Sequence, residues 1–200
     1  MPRNPDPSDQ PAERGWALRR LISVHAEMRD DLAVLRRAVF AVTRPDDDQD
    51  AAAAIAALGE VSFRDPAWSL RRYCAHFCRF VHDHHSVEDT MLFPVLLAHE
   101  HNRDELATVI RRLQDDHRTL SRHLDEVEDA MTAAAGDDAA KAAAAKAAAV
   151  EAIERLAGHL EAHLALEEET LAPALNALSE VVAEDDLPPP DGSSVTWRSA

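Results

Sequence analysis

Four long segments of the 200-residue chain carry apolar side chains at steps of three and four residues. This spacing puts the apolar residues of each segment on one face of an α-helix. The segments cover residues 12–42, 66–98, 102–136 and 139–179, and their abundant Ala, Leu, Arg and Glu favour helices. Alternating runs typical of strands are missing from the sequence. It therefore predicts an all-α protein, and the short later connections favour an up-down-up-down four-helix bundle.

The predicted bundle is one domain, residues 12–179. Residues 1–11 are polar and rich in proline, and the tail 180–200 is acidic and rich in proline, so both ends are expected to be disordered. The connector 43–66 joins the first two helices and has room for a short helix over 51–58.

The charge of the chain limits its partners. Its net charge is -16, from 37 acidic and 21 basic residues. Such a surface repels nucleic-acid phosphates and anionic lipid, so neither nucleic acid nor membrane is an expected partner. The N-terminal ten residues lack the apolar stretch of a signal peptide. Cys74 and Cys78 form no disulfide framework and are interpreted as packing residues, which favours a cytoplasmic location.

Each apolar stripe is interrupted near its middle by polar residues, and the stripe of the second segment continues beyond them to Met91 and Val95. The interrupting residues are His25, His84, Glu88, His117, His163 and Glu167. Two pairs among them have the form His-x-x-x-Glu, and residues four apart on a helix lie on the same face about one turn from each other. Both side chains of each pair can therefore reach one point in the bundle interior.

The two His-x-x-x-Glu motifs lie in matching surroundings. The matched pairs include Val81 with Leu160, Leu92 with Leu171, and Pro94 with Pro173. The first and third segments match in the same way around His25 and His117. The chain therefore resembles a duplicated helical hairpin, in which each copy carries one histidine and then one His-x-x-x-Glu.

Antiparallel packing of two such hairpins predicts four imidazoles and two carboxylates at one level of the core. Unpaired carboxylates there would be strongly disfavoured. Two divalent cations remove that cost if each takes two imidazoles and one oxygen from each bridging glutamate. Positions would remain open for water, a bridge or a small ligand. Spacing alone does not distinguish iron from manganese or zinc.

Other histidines offer alternative ligands. His85 directly follows His84 and competes with it, although Leu164 occupies the matching place in the second copy. His159, one turn before the fourth-helix histidine, is a further candidate for a fifth imidazole. His101 is interpreted as a surface residue that caps the third helix. Bis-histidine haem leaves both glutamates unexplained, and a metal-free interaction bundle requires hydrogen bonds to satisfy the whole polar layer.

The motifs appear in a fixed order along residues 14–178: His25, His84-His85-x-x-Glu88-Asp89 with Leu92-Phe93-Pro94, His117, and His163-x-x-x-Glu167-Glu168 with Pro173. This order resembles the hemerythrin-like, or HHE cation-binding, family. The resemblance implies a four-helix bundle holding two iron ions, with an oxo or hydroxo bridge when oxidised. Its terminal ligands would be His25, His84, His117 and His163. Its bridging ligands would be Glu88 and Glu167.

The sequence departs from the oxygen-carrying hemerythrins, which have His-x-x-x-His on the third helix and His-x-x-x-x-Asp on the fourth. Ser121 and Glu167 stand in the corresponding motifs here. The pattern is closer to di-iron proteins of iron–sulfur-cluster repair, but their cysteine-bearing N-terminal segment has no counterpart in residues 1–14.

The resemblance implies a di-iron protein that binds or senses dioxygen or nitric oxide, or that buffers iron. The alternative is a di-iron enzyme that acts on peroxide or nitric oxide, or in cluster repair and oxidative stress defence. The sequence does not choose between enzyme and binding protein, and it leaves the oligomeric state open.

Overall fold

A computed structural model describes residues 14–43, 66–100, 102–134 and 139–182. The expected N-terminal disorder, the short connector helix over 51–58, His101 and nearly all of the expected tail lie outside these ranges.

Every element in the described ranges is helical, which confirms the predicted all-α class. The elements are α1 Trp16–Thr43, α2 Pro66–Val87, a π-helical turn Glu88–Leu92, α3 Phe93–His99, α4 Arg103–Ala134 and α5 Ala139–Val181. The backbone stays in the right-handed helical region through the π-helical turn, so α2, the turn and α3 form one continuous rod.

Four rods pack as the predicted bundle. α1 and α4 each pack against both α2 and α5, which places consecutive helices side by side. No helix in the described part of the chain combines the length and hydropathy needed to traverse a lipid bilayer.

Two apolar clusters fill the core, one on each side of a polar layer. The larger cluster includes Met28, Leu32, Phe77, Leu124, Leu156 and Leu164, all at most 1% exposed. The smaller cluster includes Leu18, Leu21, Phe93, Leu113, Leu171 and Leu178. The polar residues that interrupt the stripes lie between the clusters, at a level where both sides exclude water.

The π-helical turn changes which residues face the core beyond Glu88. The 3.6-residue period predicted that Met91 and Val95 would continue the buried stripe. Instead, Phe93 and Leu96 are each 1% exposed, whereas Met91 is 41% exposed. A π-helical turn holds more residues than an α-helical turn. The next core position is therefore displaced along the chain, and the prediction is wrong for Met91, whereas Val95 is partly buried against the smaller cluster.

The N-terminus of α1 is fastened to the end of α5. Asn176 Oδ1 accepts from the backbone N–H of Gly15 at 2.8 Å, and Ser179 Oγ accepts from that of Ala17 at 3.0 Å. The indole N–H of Trp16 donates to a backbone carbonyl beyond α5 at 3.1 Å. Side chains of α5 thus satisfy amides that a helix start otherwise leaves unpaired.

This junction predicts opposite effects for two glycine-to-alanine substitutions. A Cβ at Gly15 would lie 2.7 Å from the Cβ of Ser179 and 3.2 Å from the Cα of Asn176, whereas one at Gly158 would meet nothing within 4 Å. We expect Gly15→Ala to lower the free energy of unfolding by about 1–3 kcal/mol through overpacking. Gly158→Ala should raise it by about 0.5–1 kcal/mol by stiffening the helix backbone. Urea unfolding of both variants at matched metal content measures the difference, and equal effects would contradict the tight junction.

Candidate metal centre

The six predicted ligands meet in one buried layer. They are His25 on α1, His84 on α2, Glu88 at the start of the π-helical turn, His117 on α4, and His163 and Glu167 on α5. None of the six is more than 4% exposed. His85, at the end of α2, belongs to the same layer and is 5% exposed.

A first group of ligand atoms comes from His25, His84, Glu88 and Glu167, and these atoms lie within 4.8 Å of one another. The Nε2 atoms of His25 and His84 are 3.2 Å apart, and Glu88 Oε1 is 2.9 Å from His84 Nε2. With metal–ligand bonds of about 2.1 Å, adjacent ligand atoms lie roughly 3 Å apart. The group therefore has the spacing of donors around one cation.

A second group comes from His85, His117 and His163, whose ligand atoms also lie within 4.8 Å of one another. The rings of His85 and His117 are stacked, with centroids 4.1 Å apart. The ring of His163 stands nearly perpendicular to both. Three imidazoles from three rods thus converge next to the first group.

The two glutamates connect the groups. Glu88 has one oxygen beside the first group and its other oxygen, Oε2, 3.7 Å from His117 Nε2. Glu167 Oε2 is 3.5 Å from His25 Nε2 and 3.6 Å from His163 Nε2. Both carboxylates therefore face both groups, as bridging ligands of two cations would.

The hydrogen bonding of the layer fits cations better than a closed polar network. Among the described residues, no hydrogen-bond partner is found for either carboxylate oxygen of Glu88 or Glu167, or for the Nε2 atoms of His85, His117 and His163. Buried polar atoms are normally satisfied, and leaving one unpaired costs about 1–3 kcal/mol. These atoms converge on shared points, where a cation would satisfy them.

A comparison with protein families agrees with this geometry. The family model described as the hemerythrin HHE cation-binding domain matches residues 17–175. The chain belongs to the hemerythrin HHE cation-binding family. Comparison with curated proteins and with solved structures gives no match. The buried histidines and glutamates of this HHE domain are thus candidate cation ligands.

Carboxylates next to Glu88 and Glu167 orient two imidazoles of the HHE domain. The Nδ1–H of His25 donates to Glu168 at 2.9 Å, and Arg29 donates to the same carboxylate oxygen at 2.8 Å. The Nδ1–H of His117 donates to Asp89 at 3.0 Å. A neutral imidazole that donates from Nδ1 keeps its lone pair on Nε2. Both rings therefore present an unprotonated nitrogen to the centre.

Burial controls the protonation of the layer. It lowers the pKa of His25 to about 2 and that of His163 to about 3, and it holds the pKa of His85 well below its usual range, with neighbouring imidazoles adding to each effect. Burial also raises the pKa of Glu88 from 4.5 to about 8, and it raises that of Glu167 well above its usual range, with Glu88 adding to the shift. Near neutral pH and without cations, His25, His85 and His163 are therefore neutral, and the carboxyls of Glu88 and Glu167 are protonated.

Cation binding to this layer is expected to strengthen as pH rises from 4.5 to about 8. Below its pKa of about 8, Glu88 must release a proton before it can ligate a metal, so protons compete with the cation. His25 and His163 do not compete in this window, because their pKa values lie far below it. The affinity should change by up to about tenfold per pH unit for each displaced proton. Chelator competition across this range measures the slope, calorimetry in buffers of different ionisation enthalpy counts the protons, and a flat profile would contradict the assignment.

The position of His85 resolves an alternative that the sequence left open. The repeat favoured His84 over His85, but the structure places both in the layer, one in each group. Adjacent helical residues point about 100° apart, so they reach one cation poorly and two neighbouring cations well. In the sequence, the signal for this arrangement was the pair of adjacent histidines, His84 and His85. His159 lies outside both groups; it is 27% exposed and 3.8 Å from Asp116.

An open pocket leads to the first group. It encloses about 510 Å³, including its mouth, and its lining includes His84 and Glu88 with the apolar side chains of Trp16, Leu21, Met91 and Leu175. Part of this wall consists of Met91, which the π-helical turn leaves outside the core, and of Trp16, whose indole N–H donates to a backbone carbonyl just beyond α5. The pocket thus ends beside the first group, where His84 and Glu88 form part of its wall.

Proposed function

We propose that this protein is a non-haem di-iron protein that binds or senses dioxygen or nitric oxide. The observation that carries the proposal is a pair of adjacent ligand groups that share two buried carboxylates. The first of these groups lies beside an open apolar pocket. The family supports cation binding. Iron follows from the resemblance to hemerythrin-like di-iron centres, and its accessible redox states supply reversible binding of diatomic ligands.

The two groups offer different numbers of donors. The first ion would take His25 and His84 with the shared Glu88 and Glu167, which gives four protein ligands. The second would take three imidazoles with the same two carboxylates, which gives five. A six-coordinate first ion therefore keeps more positions open, and it lies on the pocket side.

The pocket lining favours ligand binding over chemistry on an organic substrate. Among the described lining residues the polar ones are Arg20, His84 and Glu88. Two of these are proposed metal ligands, and arginine stays protonated at physiological pH. The described lining thus offers no separate general base of suitable pKa.

The second candidate is an enzyme that turns over hydrogen peroxide or nitric oxide at the same centre. The unequal donor sets favour it, because open positions beside a solvent-connected pocket admit a reactant and release its product. Neither of these reactants needs an organic-substrate pocket.

One experiment separates the candidates. The protein is purified without oxygen, its iron per chain is measured, and visible spectra are recorded on addition of dioxygen, nitric oxide or peroxide. A reversible adduct supports binding or sensing, and many turnovers of peroxide or nitric oxide support the enzyme. Absence of stoichiometric metal in protein supplied with iron would overturn both and favour a metal-free bundle.

Replacing His85 tests the second ion. We expect His85→Leu to weaken one of the two bound ions by about 10–100-fold, since an imidazole ligand is lost from a site of five protein donors. His159→Leu is the matched control, because that imidazole lies outside both groups on another rod. Metal titration with a calibrated chelator measures both affinities. Equal behaviour of the two variants would show that His85 is a packing residue.

A further inference from the structure

The pocket beside the first group contains an oxidisable sulfur. Met91 lines it together with His84 and Glu88 and is 41% exposed. Two other methionines in the described ranges, Met28 and Met131, are 0% and 6% exposed and belong to the larger apolar cluster. Met91 is thus the described methionine that a solvent-borne oxidant reaches most directly.

The position of this sulfur results from a break in the repeat. The π-helical turn occurs in the first copy, whereas α5 continues as an α-helix through the second. The residue that matches Met91 is Thr170, whose hydroxyl donates to the carbonyl of Leu166 at 2.8 Å. The π-helical turn that leaves Met91 outside the core therefore places its side chain in the pocket wall.

The geometry points to Met91 as a site of self-modification by peroxide, an inference that rests on the proposed di-iron function. Hydrogen peroxide that enters the pocket transfers one oxygen atom to the thioether. The O–O bond breaks, an S–O bond forms, and the sulfur is oxidised by two electrons to the sulfoxide. The second peroxide oxygen leaves with both protons as water. Bound iron would activate the peroxide beside the sulfur.

The product changes the pocket. A sulfoxide is polar and bulkier than a thioether, so it makes an apolar wall hydrophilic. Sulfoxide reduction restores the thioether. Oxidation of Met91 would then be a reversible modification that forms when peroxide reaches the centre.

The test compares Met91 with a methionine of similar exposure far from the pocket. Phe40 is 38% exposed and lies 15 residues beyond His25 on α1, about 22 Å along the helix axis. The Phe40→Met variant is prepared with iron, with zinc and without metal, and treated with limiting heavy-oxygen peroxide in excess free methionine. Peptide mass spectrometry then follows sulfoxide at both positions, and metal analysis is made on the same samples.

With iron, Met91 should be oxidised at least about tenfold faster than the methionine introduced at position 40, and the heavy oxygen should be retained. With zinc or no metal, the two rates should be similar. Equal rates with iron, or a Met91 rate that iron does not change, would overturn this inference. If iron binds and Met91 shows no iron-dependent oxidation, this inference alone fails; if iron does not bind, the proposed function fails with it.

Discussion

Replacing Glu167 with glutamine is expected to reduce bound metal from two ions to one or none per chain. Glu167 is fully buried, and one of its oxygens lies 3.5–3.6 Å from an imidazole of each group. The amide keeps the size of the side chain but removes the charge that both cations share, so both affinities fall. Glu88→Gln should behave alike, because its oxygens also face both groups. Metal analysis after gel filtration measures the loss, and Glu169→Gln, on the exposed side of α5, is the matched control.

Glu167→Leu adds a second signature. Without metal the wild-type chain buries a carboxyl group whose oxygens have no hydrogen-bond partner among the described residues. Leucine removes that cost, so the apo variant should be about 1–3 kcal/mol more stable than apo wild type. The variant should gain little from added metal. Retention of both ions in the glutamine variants, together with a destabilised apo leucine variant, would show that Glu167 holds the fold rather than the metal.

Removal of metal from the wild-type chain is the second large effect. A cation that binds only the folded state at a thousandfold excess over its Kd stabilises by about 4 kcal/mol. Two such ions would add about 8 kcal/mol, and for a chain of this size Tm changes by roughly 2–4 °C per kcal/mol. We therefore expect chelation to lower Tm by roughly 15–30 °C.

Calorimetry with and without chelator measures this shift, and the Glu167→Leu variant controls for effects of the chelator itself. The difference between the two forms should widen from pH 4.5 to about 8. Because the pKa of Glu88 is raised in the folded state, its protonated carboxyl stabilises the folded apo protein at low pH, and this stabilisation is lost as pH rises through 8. Bound cations instead favour the ionised carboxylate, so they stabilise the folded protein more at high pH. An unchanged Tm after verified metal loss would mean that hydrogen bonds alone satisfy the layer.

Much of this centre could be predicted from helical periodicity. His25, His117 and both His-x-x-x-Glu motifs fall on apolar stripes, and a stripe that faces the core must bury its polar members as well. The repeat placed these groups at one level. Their convergence therefore depends on the period of the α-helix and the antiparallel order of four rods, which are local and topological properties of the chain.

Other features depend on contacts between rods. The role of His85 beside His117 and His163 requires their relative rotation, which no single helix specifies. The hydrogen bonds from His25 to Glu168 and from His117 to Asp89 likewise join side chains on different rods.

The sequence by itself determined the class of fold, the level of the polar layer and six of its seven buried polar residues, because the α-helical period converts spacing directly into direction. The tertiary structure decided the π-helical turn, the exposure of Met91, the place of His85 and the pocket. A π-helical turn exchanges regular backbone hydrogen bonds for better side-chain placement. Whether such a turn forms depends on how Phe93 and Glu88 pack against the neighbouring rods, and the spacing of residues along one helix does not specify that packing.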